Sequence, residues 1–255
     1  MWKDFLFLIS FMSRIPIKTD WGIKEEDWSR CLRLLPLWGL LLGVLVAGVA
    51  AVISGINAPV AAACAVAASA FLTGGLHLDG VMDTADGLAS GNDREKAFRF
   101  MSDAHIGAMG IISLLILLML KYVLYLFLIV NVQVWWVLPA GVVFSRFMLV
   151  FVVYAFPNAK KTGLAATFHK YFEKKYFIVA LFLTVIILLF FGNWLAILAA
   201  VFAAIFAYFV AHSWCGRWGG LTGDAYGSLT EWSEIIFLLL YLFAVAVAGN
   251  LPLLL

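Results

Sequence analysis

Apolar runs near twenty residues long recur along the 255-residue chain, at about 34–54, 59–78, 106–128, 134–156, 177–192, 194–213 and 234–250. At about 1.5 Å of rise per helical residue, each is long enough to cross the roughly 30 Å hydrocarbon layer of a bilayer. Segments of about ten residues with alternating polarity, which a membrane barrel would need, do not recur. Composition agrees: 65% of residues are hydrophobic and 13% charged, against roughly 45–50% and 25% in a soluble domain. The expected fold class is all-α, a polytopic transmembrane helical bundle of about seven spans. The opening MWKDFLFLISFMSRIPIK is interrupted by Arg14 and Pro16 and lacks a small-residue cleavage site. It predicts an N-terminal interfacial helix rather than a signal peptide.

Charge is distributed unevenly between the two ends of these runs. Of the 17 Lys and Arg, 15 fall in 1–33, 79–105, 157–176 and 214–233, while 55–58, 129–133 and 193 carry no charge. The positive-inside rule places the charged segments and the N-terminus in the cytoplasm, with the C-terminus outside. No repeat, low-complexity tract or soluble appendage is visible, so 1–255 reads as a single integral-membrane domain. Cys31, Cys64 and Cys215 are too scattered for a disulfide framework or a zinc site. A net charge of +2 is too small to suggest nucleic acid.

Against this apolar background the acidic residues stand out. In HLDGVMDTADG, residues 77–87, Asp79, Asp83 and Asp86 fall at roughly 0, 40 and −20 degrees around a helix and share one face. Aligned like charges beside hydrocarbon are costly unless neutralised, and a divalent cation is the natural neutraliser. Magnesium (Mg2+) takes oxygen ligands and keeps positions open for phosphate, so the three are candidate metal ligands in a phosphoryl-transfer site. Two further acidic groups face the same side: Asp103 in FMSDAHIGAMG, and Asp224, Glu231 and Glu234 in GGLTGDAYGSLTEWSE. Glycines flank all three clusters, at 74, 75, 80 and 87, at 107 and 110, and at 219, 220, 223 and 227, and would admit close helix or ligand approach. Asp93 and Glu95 read as solvated caps.

The basic residues complete the set. Arg146 lies well inside a span, where arginine normally faces a polar cavity or a partner, and a substrate phosphate or an aspartate would serve. Arg94 and Lys161 are candidate phosphate contacts, and His105 a candidate substrate contact. Lys121 is expected to snorkel outward or to pair within the bundle. His77 points away from the triplet, at about 160 degrees on the same wheel, and reads as packing.

GGLHLDGVMDTADGL, REKAFRFMSDAHIGAMG and GGLTGDAYGSLTEWSE, with the opening FLISFMSRIPI, the stretch RLLPLWGLLLG and the pair Ser145–Arg146, resemble the adenosylcobinamide-GDP ribazoletransferases, the cobalamin synthases. The likeness covers almost the whole chain. It implies the last steps of cobalamin biosynthesis: a ribose hydroxyl of α-ribazole, or of α-ribazole 5′-phosphate, attacks adenosylcobinamide-GDP at the phosphorus beside the cobinamide, and GMP leaves. Breaking a pyrophosphate requires charge neutralisation, which Mg2+ held by the aspartates would supply as cofactor, and the positive-inside reading gives a multi-pass cytoplasmic (inner) membrane location with the active site facing the cytoplasm; a homo-oligomer is left open. Within that reading Asp103 is the first candidate to take the hydroxyl proton and Asp83 the second catalytic carboxylate. Arg146, His105, Arg94, Lys161, Asp224 and Glu231 are the expected substrate contacts. The chemistry is also similar to that of CDP-alcohol phosphotransferases, though the spacing after Asp79–Gly80 differs.

Two other classes fit the same composition. A cation-coupled transporter also carries intramembrane acids, but usually near the midplane on broken helices and with repeated halves. A structural membrane subunit would have no need of clustered acids.

Overall fold

The computed structural model describes residues 2–17, 22–132 and 135–249. The apolar runs become helices because backbone N–H and C=O groups in hydrocarbon must be satisfied within the chain, and a helix satisfies them within each segment. In order these are α1 (Trp2–Met12), α2 (Glu25–Cys31), α3 (Leu35–Ser54), α4 (Ala58–Thr73), α5 (Leu76–Ala89), α6 (Arg94–Met101), α7 (Ala108–Phe127), α8 (Val137–Ala155), α9 (Leu164–Lys170), α10 (Lys174–Trp218) and α11 (Gly223–Val247). Extended pairing among the described residues amounts to one parallel bridge, Asn158 with Leu221.

Six stretches are long and apolar enough to cross a membrane: 25–54, 108–131, 137–155, 174–191, 193–218 and 223–247. A bent pair, α4 with α5, makes a seventh when taken as one span. The expected bundle is therefore present, and the N-terminal helix with it: Asp4 of α1 pairs with Arg30 and Arg33 at 3.0 Å each, which ties α1 to the start of the first span.

Three boundaries differ from the sequence reading, each for a local reason. The second run was expected to continue to 78, but α4 stops at Thr73. Gly74 and Gly75 both take left-handed backbone (φ 65 and 74), and the Gly75 N–H closes on the Ala70 carbonyl at 3.0 Å, a glycine C-cap. The chain then turns by 91° into α5, so the three aspartates occupy a helix of their own. The last helix starts at Gly223 rather than near 234, because the Thr222 hydroxyl accepts from the Ala225 N–H at 3.2 Å and caps it. α2 runs through a short 3-10 turn into α3, which makes the first span longer than 34–54. The expected break at 193 is present. Asn193 has φ 62 and ψ −169, and its side chain accepts from the Leu195 N–H at 2.8 Å, starting the second half of α10.

The most enclosed helix is α8, which packs against α3, α10 and α11. Its approach to α3 depends on Gly39 and Gly43: a Cβ at Gly43 would lie 2.6 Å from the Pro139 Cα, and one at Gly39 2.9 Å from the Val142 carbonyl oxygen. Phe144 stacks on Phe237 of α11 at 5.1 Å. If each of these helices crosses the bilayer, the uncharged turns at 55–57 and 193 fall on one side and the charged segments on the other.

That arrangement predicts accessibility. In a chain with Cys31, Cys64 and Cys215 replaced, cysteines at Ile56 and Trp194 should react with an impermeant thiol reagent from one side of sealed vesicles, and cysteines at Asn92 and Lys175 from the other. Labelling of Ile56 and Asn92 from the same side would contradict the crossing of α4.

Candidate active site

The site begins where α5 crosses the start of α11, and two glycines make the crossing close. A Cβ at Gly80 would lie 2.6 Å from the Asp224 carbonyl oxygen and 3.1 Å from its Cα; one at Gly227 would lie 3.2 Å from the His77 Cα. Neither position accepts a side chain without moving a backbone. The contact brings together carboxylates about 140 residues apart in sequence: Asp83 lies within electrostatic range of Asp79, Asp86, Asp224 and Lys160. Asp79 and Asp224 line one cleft of about 320 Å³, with Lys160, Asn158 and Tyr226 as further polar groups and Phe11, Leu149 and Phe168 among its apolar walls.

Lys160 is held there by a strap, residues 157–163. The strap is anchored to the turn before α11 by the Ala159 N–H donating to the Leu221 carbonyl (2.8 Å) and the Leu221 N–H donating to the Pro157 carbonyl (2.9 Å). Gly220 allows the approach, since a Cβ there would lie 2.7 Å from the Ala159 nitrogen. Arg94 donates to the Ala159 carbonyl at 2.9 Å, and the Asn158 amide donates to the Tyr226 hydroxyl at 3.3 Å. Arg94, expected as a phosphate contact, thus holds the strap, while Lys161 faces a second cleft on its other side.

Asp86 has a separate environment. It is buried, and its two oxygens accept from the Gly107 N–H (2.7 Å) and the Gly110 N–H (2.8 Å) at the first turn of α7, where a carboxylate also meets the favourable end of the helix dipole. Gly107 cannot carry a side chain, because its Cβ would overlap the Asp86 carboxylate. Asp103 and His105 are exposed and bond to each other: the His105 N–H donates to Asp103 Oδ1 at 2.9 Å and its ring nitrogen lies 2.8 Å from the same oxygen. The His105 backbone and ring hold the Asp103 carboxyl below the usual carboxylate range. No hydrogen bond or ion pair joins this pair to the triplet among the described residues. Asp93 accepts from the Glu95 and Lys96 N–H groups and caps α6, as expected of a solvated cap.

Glu231, Glu234 and Arg146 lie deeper, in a buried charge network. Lys121 contacts Glu231 at 2.6 Å and Glu234 at 3.2 Å, and the Tyr125 hydroxyl donates to Glu234 at 2.6 Å. Arg146 donates to the Ser145 hydroxyl at 3.0 Å and lies 3.7 Å from Glu231. The Nδ1 atom of His77 faces the same carboxylate at 3.8 Å. Two cations and two carboxylates from α7, α8 and α11 therefore balance inside the bundle, and Lys121 pairs internally rather than snorkelling. Glu231 and Glu234, read from sequence as facing the same side as the other acids, sit in the buried part of the last span.

Sequence reasoning missed one functional candidate, His77. It lines the acidic cleft while its ring is held between Glu231 and Gly227. The wheel showed its angle to the triplet and not that both faces of α5 meet other elements; a mid-span lysine in need of an acid was the available clue to the network. For a metal, the fit is to oxygen donors only. Asp79 and Asp83 lie one turn apart and Asp224 lies across from them, although no group of three His, Cys, Asp or Glu side chains converges on one ion position among the described residues.

Removing one member of the network should be costly. Lys121→Met leaves buried carboxylates undercompensated and should destabilise the solubilised protein by about 3–5 kcal/mol. Lys121→Met combined with Glu231→Gln should recover part of that loss. Denaturant unfolding checks both, and an unaltered midpoint in the single variant would contradict the pairing.

A family profile described as Cobalamin-5-phosphate synthase matches residues 4–242. Curated proteins named adenosylcobinamide-GDP ribazoletransferase are similar along nearly the full chain. That of Geotalea daltonii is 33% identical over 245 residues, covering 94% of this chain and 96% of the relative. That of Desulfitobacterium hafniense is 32% identical, covering 91% and 93%, and that of Klebsiella pneumoniae strain 342 is 30% identical, covering 94% and 99%. No solved structure matches.

Proposed function

Because the chain belongs to the cobalamin-5-phosphate synthase family, we propose that it is an adenosylcobinamide-GDP ribazoletransferase and that the α5–α11 cleft is its transfer site. In this reading a ribose hydroxyl of α-ribazole or its 5′-phosphate forms an oxygen–phosphorus bond at the phosphate next to the cobinamide. The bond from that phosphorus to the bridging oxygen breaks, GMP leaves with the bridging oxygen, and the hydroxyl proton is released. The observation that carries the reading is the Gly80–Asp224 contact, which gives carboxylates from two distant segments one cleft with Lys160.

Each group has a task that follows from its surroundings. Asp79 and Asp83 would hold Mg2+, which takes one or two carboxylates and leaves its other positions to water and substrate phosphate; when bound it supplies positive charge to the pyrophosphate. Asp224, half-buried and opposite them, is the carboxylate left to accept the hydroxyl proton. This replaces Asp103 in that role, since Asp103 is exposed and engaged by His105, whereas Asp83, which also lies outside the cleft lining, is within electrostatic range of Asp79 and Asp224. Lys160 neutralises phosphate charge from the opposite wall. Asp86 sets the start of α7 against α5, and Glu231 with Arg146 orients His77 from behind. Apolar residues along α10, among them Phe182, Phe190 and Phe209, are exposed and suited to lipid. The excess of Lys and Arg on the charged face favours the cytoplasmic side of the cell membrane for the site.

The test is turnover by the purified chain. Release of GMP from adenosylcobinamide-GDP should require α-ribazole or its phosphate and should stop on chelation of divalent ions. Asp79→Asn should lower kcat by about 10²–10³-fold, the size of loss seen when one group stabilising transition-state charge is removed. Uptake of a corrinoid into vesicles without GMP release would favour the transporter and overturn the proposal.

A further inference from the structure

We propose that a second cleft, on the far side of the 157–163 strap, binds the phosphate of a nucleoside 5′-monophosphate. This cleft has a volume of about 730 Å³, within the roughly 300–1,000 Å³ typical of small-molecule sites. Its lining includes Lys160, Lys161 and Lys170, with Glu25 as the one acid among the described lining residues. Excess positive charge in a concave surface concentrates anions, and the Thr162 hydroxyl adds a donor that a phosphate oxygen accepts, while the Thr167 hydroxyl donates to the Gly163 carbonyl at 3.3 Å. His169 has its Nδ1 atom 3.2 Å from the Val153 carbonyl, which fixes the ring. Trp28, supported by Phe7 at 5.9 Å and Phe168 at 6.5 Å between ring centres, supplies an aromatic wall. Cations, a threonine hydroxyl and a braced indole in one cleft are the chemistry of a ligand with both a phosphate and a flat ring.

Its position narrows the ligand further. Asn158, Lys160, Thr162, Gly163 and Leu164 line both clefts, so the strap is a shared wall and Lys160 serves two anions. The acidic cleft suits a metal-neutralised pyrophosphate; the basic one needs no metal and suits a lone phosphate. Naming the ligand rests on the reading of the first cleft as the transfer site, where two nucleoside monophosphates take part: the incoming α-ribazole 5′-phosphate and the departing GMP. The phosphate group is common to both.

Direct binding tests this without turnover. The full chain in detergent, without corrinoid, is titrated with GMP and α-ribazole 5′-phosphate, and separately with guanosine and α-ribazole. At least one phosphate should bind more tightly than its nucleoside. The double variant Lys161→Gln with Lys170→Gln, both exposed positions, should weaken that phosphate by roughly tenfold or more while leaving both nucleosides unchanged. Lys175→Gln, outside the cleft, should change nothing. A loss confined to α-ribazole 5′-phosphate assigns the cleft to the incoming substrate and a loss confined to GMP to the product; either supports the proposal. Equal affinity for phosphates and nucleosides, or phosphate affinity unaltered in the double variant, overturns it. A chain without transferase activity that still shows the phosphate-specific loss would sink the proposed reaction and leave this site standing.

Discussion

The contact between Lys121 and Glu231, at 2.6 Å inside the bundle, constrains much of what surrounds it. A buried ion pair is weak evidence for stability, because desolvation offsets much of the attraction. Its effect here is on register. With Glu234, Arg146 and His77 grouped around the same carboxylates, sliding or rotating α11 by one residue would leave charges unpaired in an apolar interior. Asp224 precedes Glu231 by seven residues, two helical turns, and therefore lies on nearly the same face. The network that orients Glu231 toward α7 and α8 thereby presents Asp224 to α5.

Small residues then convert that orientation into contact. Gly80 on α5 and Gly227 on α11 let the helices meet backbone to backbone, so Asp79 and Asp224 line one cleft with Asp83 in electrostatic range of both. The two helices run in opposite senses at this crossing: Gly80 meets Asp224 while His77, earlier on α5, meets Gly227, later on α11. His77 thus lies where the buried network and the cleft adjoin. The same device recurs at Gly220, where the absence of a side chain lets the strap dock and places Lys160 opposite the acids.

Much of this was legible in the sequence, and the part that was not has a physical reason. Span positions followed from hydrocarbon length, and the break at 193 from the meeting of two apolar runs. The concentration of glycine beside the acids signalled close approach, and the resemblance at 74–88 and 219–234 agrees with the family match over residues 4–242. What failed were statements that depended on a partner. Asp86 shares a helix face with Asp79 and Asp83, but that geometry contains no sign of the α7 amides that occupy its oxygens. Arg146 and Glu231 were each read as facing a substrate, whereas the nearest opposite charge for each came from within the chain. Gly74–Gly75 was noted for its small size when its left-handed backbone, which turns the chain into α5, was the larger effect.

The central claim is that the acids of α5 and the Asp224 of α11 act as one unit. A double-mutant cycle on kcat/KM, with Asp83→Asn, Asp224→Asn and the combined variant, tests it most directly, with Asp93→Asn as a control because asparagine still caps α6. If the two carboxylates serve one site, each single change should be severe, the control nearly silent, and the combined variant little worse than the poorer single one, since groups acting as a unit are not additive. A combined loss equal to the product of the two single losses would contradict a shared site and leave the clusters working apart.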